Sequence, residues 1–189
     1  MSDYFSKFPI VKYNDVKVRD ITRRIGFSKK RLSDPLLFLP YTIREGEKPE
    51  DVSFYYYGSV DYTWLVLMAN DLVDPYNDWP LDQDQFNCTF MKKYEELSGE
   101  TDYDVIAWGQ SEANDDNIVF FYKEDEHGKT VQVGPQTFDG NNASNIGGWT
   151  AMRLYDYELM LNEEKRNIQP VDALYKDKID PEFRKPIVK

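Results

Sequence analysis

The stretch from Tyr41 to Trp79 constrains this chain more than any other, because its polar punctuation and apolar spacing describe one compact unit. Tyr41-Thr42-Ile43 is rich in β-formers and runs into a turn at Gly46. Pro49 follows, a residue that can open a helix without losing a hydrogen bond, and Glu50 and Asp51 then place negative charge in the first helical turn. Val52, Tyr55 and Tyr56 recur at helical spacing as far as Gly58, which can adopt the left-handed conformation that closes a helix. A second apolar stripe, Tyr62, Leu65, Val66 and Ala69, is widened by Trp64, Leu67 and Met68 and stops at Asn70 before Asp74-Pro75. Helices this short do not stand alone in water, so the pair is predicted to pack on a strand.

Around this module the patterning changes. Val16, Val18 and Ile10 alternate with polar residues, which predicts an amino-terminal hairpin with Asn14-Asp15 at its turn. A connector containing Pro35 and Pro40 leads into the module. Beyond Trp79-Pro80, Phe86, Phe90, Tyr94 and Leu97 form the stripe of an amphipathic helix closed near Gly99, which is expected to cover one face of the module. Period-two signals then predict short strands at Val105-Ile106-Ala107-Trp108, Ile118 to Tyr122 and Thr130 to Val133, the last two joined by a turn at Glu126-His127-Gly128-Lys129. Residues 139–148 read as a loop, 149–155 as a further strand and 156–167 as a helix; Pro170, Pro181 and Pro186 predict an extended tail carrying Ile179, Phe183 and Ile187. The whole is an α+β chain in three parts: residues 1–40 as a hairpin arm, 41–99 as the module with its following helix, and 100–189 as an α+β region with a tail.

Of 189 residues, 41% are hydrophobic and 15% aromatic, enough for one good core or two small ones. The 23 basic and 34 acidic side chains give a net charge of −11, which argues against general binding to nucleic acid. Residues 1–40 hold nine basic and four acidic groups (+5), leaving 14 basic and 30 acidic groups (−16) in the remainder. A basic arm on an acidic body suggests an acidic neighbour, with Arg23-Arg24 and Lys29-Lys30-Arg31 as its most concentrated charge; in isolation the same residues read as solvated surface. The lone Cys88 excludes an internal disulfide. No amino-terminal apolar run resembles a signal peptide, since Lys7 and Asp15 interrupt it, and the apolar run from Trp64 to Ala69 is too short to span a bilayer; a chain of the reducing cytoplasm is expected.

The residues offer little to chemistry. The single histidine, His127, falls in a predicted turn, far in sequence from Cys88. Gly109-Gln110-Ser111-Glu112-Ala113 lacks the second glycine of a nucleophile elbow, and carboxylate pairs among 34 acids carry no weight. Asp139-Gly140-Asn141-Asn142-Ala143-Ser144-Asn145 lacks the central glycine and terminal glutamate of a calcium hand, cysteine and histidine are too few for zinc, and no phosphate-binding glycine loop occurs. No catalytic residue, metal or cofactor is predicted.

Tyr-Thr-Ile, Glu-Gly-Glu-x-Pro, Tyr-Gly, Trp-Leu-x-Leu-x-Ala-Asn and Asp-Pro, read from Tyr41, resemble a LysM-type module. More narrowly, Tyr-Gly-x-x-x-Tyr-x-Trp-Leu-Val-Leu-Met-x-Asn-Asp-x-x-Asp-Pro-Tyr-x-x-Trp, from Tyr57 to Trp79, resembles the small baseplate wedge subunit of T-even-type contractile-tailed phages, a family with a LysM-like domain. Tyr4-Phe5, Phe8-Pro9, Val16-x-Val18-x-Asp20-Ile21-x-Arg23-Arg24-Ile25 and Tyr157-x-x-x-Leu161-Asn162-Glu163-x-Lys165-Arg166-x-Ile168 are similar to the same family, whereas residues 101–148 carry no part of the likeness.

The resemblance implies a non-enzymatic structural subunit of the virion, placed in the tail baseplate after assembly in the host cytoplasm. It would complete each wedge and link neighbouring wedges around the hub, in several copies of a six-fold assembly with other wedge proteins as partners and neither nucleic acid nor membrane bound. The alternative it carries is a peptidoglycan- or glycan-binding LysM module. In such modules the groove lies between the loop before the first helix and the loop after the second, here residues 45–49 and 70–78. Those loops are acidic in this chain, which suits a protein partner with basic or amide groups better than a sugar. Tyr76 and Trp79 flank Asn77-Asp78 in a loop, where aromatic residues often make contacts, whereas Tyr62 and Trp64 on the helical stripe read as core. The candidate interface is therefore Arg23, Arg24, Glu47, Lys48, Asn70, Asp74, Tyr76 and Trp79.

Overall fold

The computed structural model describes residues 8–21, 37–125, 127–140 and 148–176, and the fold is α+β. By its internal contacts the chain divides into two units, one formed by Met1–Pro80 with Lys165–Lys189 and the other by Leu81–Glu164.

The first unit opens with a hairpin of β1 (Ile10–Tyr13) and β2 (Val16–Arg19), paired from Ile10 with Arg19 to Tyr13 with Val16. Asn14 and Asp15 both adopt positive φ, 46° and 60°, as a two-residue primed turn requires, and these residue types tolerate it best after glycine. The core is built by β3 (Tyr41–Thr42), α1 (Pro49–Tyr57), a 3-10 turn (Val60–Tyr62), α2 (Thr63–Ala69) and β7 (Asn167–Ile168). α1 starts and stops where its sequence predicts: Pro49 occupies the first turn, Asp51 accepts the Lys48 backbone N–H at 3.0 Å, and Gly58 at φ 78° sends its N–H back to the Phe54 carbonyl.

β3 pairs antiparallel with β7, Tyr41 opposite Ile168 and Thr42 opposite Asn167. A bridge between Phe38 and Val171 and the bonds from Ile43 N–H to Arg166 O and from Leu39 N–H to Pro170 O extend the ladder in both directions. Leu37, Ile43, Val52, Tyr57, Leu65, Val66, Trp79, Ile168 and Val171 form the core beneath it. The strand that these helices need is thus completed from the far end of the chain. The region read as a helix to Asn167 is helical only over α6 (Leu154–Glu164), and Asn167 and Ile168 enter the sheet instead.

The second unit contains α3 (Gln83–Ser98), α4 (Tyr103–Gln110), β4 (Ile118–Glu124), β5 (Thr130–Val133), α5 (Pro135–Gly140), β6 (Thr150–Arg153) and α6. Its antiparallel sheet has the order β5-β4-β6. Asp82 caps α3 by accepting the Gln85 N–H, and Gly99 at φ 69° ends it. The stripe expected to cover the first module meets other partners: Phe86 and Phe90 pack with Val105 and Tyr155 in a separate core.

Two local readings are corrected. Val105 to Trp108, read as a strand, lies in α4; four apolar residues fit a strand and a buried helical face equally well, and burial of Val105 and Gly109 one turn apart favoured the helix. Asp139 and Gly140, read as loop, end α5. At Gly109 α4 packs tightly on its neighbours: a Cβ there would lie 2.7 Å from Phe90 Cζ and 3.4 Å from Tyr155 Cβ. Its glycine therefore serves packing. Arg153 fixes the loop after α4, donating Nη1–H groups to the carbonyls of Ser111 (2.6 Å) and Asn114 (2.9 Å) and to Asn117 Oδ1 (2.7 Å).

Candidate functional site

The two loops at residues 45–49 and 70–78 both belong to the first unit, and their geometry begins with Glu47. Its carboxylate accepts the Tyr41 hydroxyl at 2.8 Å and the Arg44 backbone N–H at 2.9 Å. Its carbonyl accepts the Trp79 indole N–H at 2.8 Å. The first loop is thus held by its own side chain and tied to the end of the second. Burial pushes the Tyr41 hydroxyl up to about 12, and the adjoining Glu47 carboxylate adds to the effect by accepting its proton in a hydrogen bond.

The second loop is held from within. Asp78 accepts the backbone N–H groups of Asp74 (3.0 Å) and Val73 (3.2 Å), and these bonds, Asp74's first, hold its carboxyl below the usual carboxylate range. Asp74 in turn accepts the Tyr76 N–H and the Asn77 side-chain amide, and Asn70 donates to the Val66 carbonyl while accepting the Gln169 N–H at 2.6 Å. Residues from the far end of the chain close the arrangement. Lys165 Nζ donates to the Asn77 carbonyl at 2.7 Å, and the Arg166 guanidinium pairs with Glu45.

The acids here are largely engaged in shaping the loops. Among the exposed residues of the second loop are two large apolar ones, Tyr76 at 87% and Val73 at 69%, on a backbone fixed by Asp74 and Asp78. Of the sequence-derived candidates, Glu47, Lys48, Asn70, Asp74, Tyr76 and Trp79 fall on these two loops and their edges. Trp79, expected as a contact residue, is 6% exposed and lies in the core, with only its N–H directed at the first loop. Lys48 caps α1 with its backbone. Arg23 and Arg24 lie outside the described residues, as do Lys29-Lys30-Arg31 and the tail positions Ile179, Phe183 and Ile187. Reading the sequence missed Glu45, Lys165 and Arg166, because no local pattern announces a pairing across 121 positions.

His127 sits in the turn between β4 and β5 with its backbone N–H on Asp125, and Cys88 is an exposed thiol. Among the described residues no group of three or more histidine, cysteine or carboxylate side chains is arranged to hold a metal ion, and no helix is long and apolar enough to cross a membrane.

Comparison with known proteins meets this chain along most of its length. Residues 2–183 match the family described as Base plate wedge protein 53. The chain is similar to the baseplate wedge protein gp53 of Enterobacteria phage T4, with 27% identity over 159 residues that cover 82% of this chain and 76% of that protein.

Proposed function

The chain belongs to the base plate wedge protein 53 family, and from that premise we propose that it completes each wedge of a phage baseplate and links neighbouring wedges around the hub. It is a structural component of the virion that works by association with other baseplate proteins. The observation that carries the local part of this reading is the pair of braced loops, which offer Tyr76 and Val73 on a backbone held by Glu47, Asp74, Asp78 and the Trp79 N–H. An exposed aromatic on a rigid support loses little entropy on docking, which is the usual character of a contact hot spot.

The order strand, helix, helix, strand in the first unit supports a LysM-like reading of that unit, with β7 as its second strand. In this reading the loops flanking a glycan groove have become a protein-binding surface. Six copies in a ring would multiply modest contacts by effective concentration. Interfaces of about 800 Å² per partner would suffice for each.

Full-length tagged chain, used as bait in lysate of infected cells and on purified peptidoglycan, tests this. Recovery of other tail proteins in defined ratio, identified by mass spectrometry, with no retention on peptidoglycan, is the expected result. Saturable retention on peptidoglycan without tail proteins would replace it with glycan binding.

A further inference from the structure

The amino-terminal hairpin is a sheet of two strands that, among the described residues, pairs with no other strand. Two-stranded hairpins are marginal in water unless something covers them. Its register sorts its side chains cleanly. Val11 opposite Val18 and Tyr13 opposite Val16 share one face, whereas Lys12 opposite Lys17 and Ile10 opposite Arg19 share the other. The first face is apolar, yet Tyr13 is 68% exposed, Val16 is 60% exposed and Val18 is also exposed. The second face is basic. Lys12 pairs with Asp15 of its own turn at 2.6 Å, and that pair is open to solvent on both sides; Arg19 reaches the Phe8 carbonyl at 2.9 Å and braces the base of the hairpin.

We infer that this hairpin is a docking element: Val11, Tyr13, Val16 and Val18 seat on an apolar patch of a neighbouring tail protein, and the lysines reach carboxylates fringing that patch. The inference rests on the wedge reading above and names the chemistry of one contact within it. Apolar residues alternating with lysine on one short ribbon call for a partner that is apolar at the centre and acidic at the rim. Lysine stems are long enough to carry their charge around the edge of a single sheet. The net charge of −11 for the whole chain makes nucleic acid the wrong partner, since its dense phosphates would repel the acidic remainder of the chain, whereas a few carboxylates at the rim of an apolar patch face the hairpin lysines alone.

The test uses the full chain, immobilised, against the other wedge proteins of the same phage expressed together. The variant Tyr13→Thr/Val16→Thr keeps strand-forming residues while removing apolar surface, and Lys12→Glu/Lys17→Glu reverses the charge. The first is expected to weaken capture about tenfold or more and the second to weaken it several-fold at low salt, with both variants melting as the parent does. If the parent captures wedge proteins and Tyr13→Thr/Val16→Thr captures them equally, the hairpin proposal falls and the wedge reading stands. If the parent captures none, the wedge reading falls and takes the proposal with it. A large loss of thermal stability in Tyr13→Thr/Val16→Thr would mean that the chain covers this face itself. Self-association of the parent that this variant abolishes, or retention on phosphatidylglycerol vesicles in place of wedge proteins, would equally overturn it.

Discussion

Trp79 donates its indole N–H to the carbonyl of Glu47 at 2.8 Å, joining two loops that lie 32 positions apart in sequence. The ring is buried in the core of the first unit while the N–H leaves that core to brace the surface, so one side chain couples packing to the shape of the candidate interface. Trp79→Phe keeps most of the apolar ring and removes the donor. The Glu47 carbonyl then lacks its partner, and the loss is expected to be about 1–2 kcal/mol, read as a lower urea midpoint with unchanged slope. A midpoint equal to the parent's would show that water replaces the indole without penalty.

Tyr76→Ala should separate binding from folding. With the side chain outside the core, thermal stability is expected to stay within about 0.5 kcal/mol of the parent, while capture of wedge proteins falls by about tenfold. Undiminished capture would remove this loop from the interface.

Gly109→Ala probes the second core. The new methyl would press on Phe90, itself buried between helices, and relief requires the ring or α4 to move. A cost of about 1–3 kcal/mol is expected for such overpacking. Hydrogen exchange should place the loss in Leu81–Glu164, and an unaltered melting temperature would mean that Phe90 yields easily.

Asp102 precedes α4 at φ 53° and ψ −135°, a region that glycine enters more readily than any residue with a Cβ, and its side chain makes no capping bond. Asp102→Gly is therefore expected to raise stability by up to about 1 kcal/mol, measured by thermal unfolding. A decrease would show that the carboxylate contributes more than the backbone strain costs.

Stability at alkaline pH should fall chiefly through the first unit. Burial raises the hydroxyls of Tyr41, Tyr56 and Tyr57 above their ordinary value of 10.0, Tyr41 to about 12. A raised value in the folded state means that folding favours the protonated form. That contribution is intact below pH 10 and is lost as pH rises through the folded values. Chemical denaturation from pH 9 to pH 12, followed with tyrosinate absorbance, should show a declining midpoint that flattens in Tyr41→Phe. A midpoint independent of pH across this window would contradict the burial of these hydroxyls.

What the sequence announced and what it concealed follow from the range of each interaction. Pro49, Asp51 and Gly58 delimit α1, and Asn14-Asp15 turns the hairpin, because these choices are made within four residues of chain. Val105 to Trp108 misled because a short apolar run has no period of its own until its neighbours are known. β7 gave no signal, being two residues long and paired with residues 125 and 127 positions away. The site was half legible for the same reason. Tyr76 and Asp74 stand out within a short loop, but Trp79 looks like a contact residue unless the core it fills is visible, and Arg166 has no mark that points to Glu45.

The pairing of β3 with β7 also sets a clock on biosynthesis. Thr42 leaves the ribosome 125 residues before its partner Asn167. At roughly 5–20 residues per second that is an interval on the order of 6–25 s. Until it ends, the helices that carry Val52, Leu65 and Val66 lack Ile168 and Val171 against which to close, whereas Leu81–Glu164 has already been made in full. A chain cut short anywhere between Trp79 and β7 would carry the whole of Tyr41 to Trp79 and still leave its core open. Closure of this core therefore requires that translation has passed Val171.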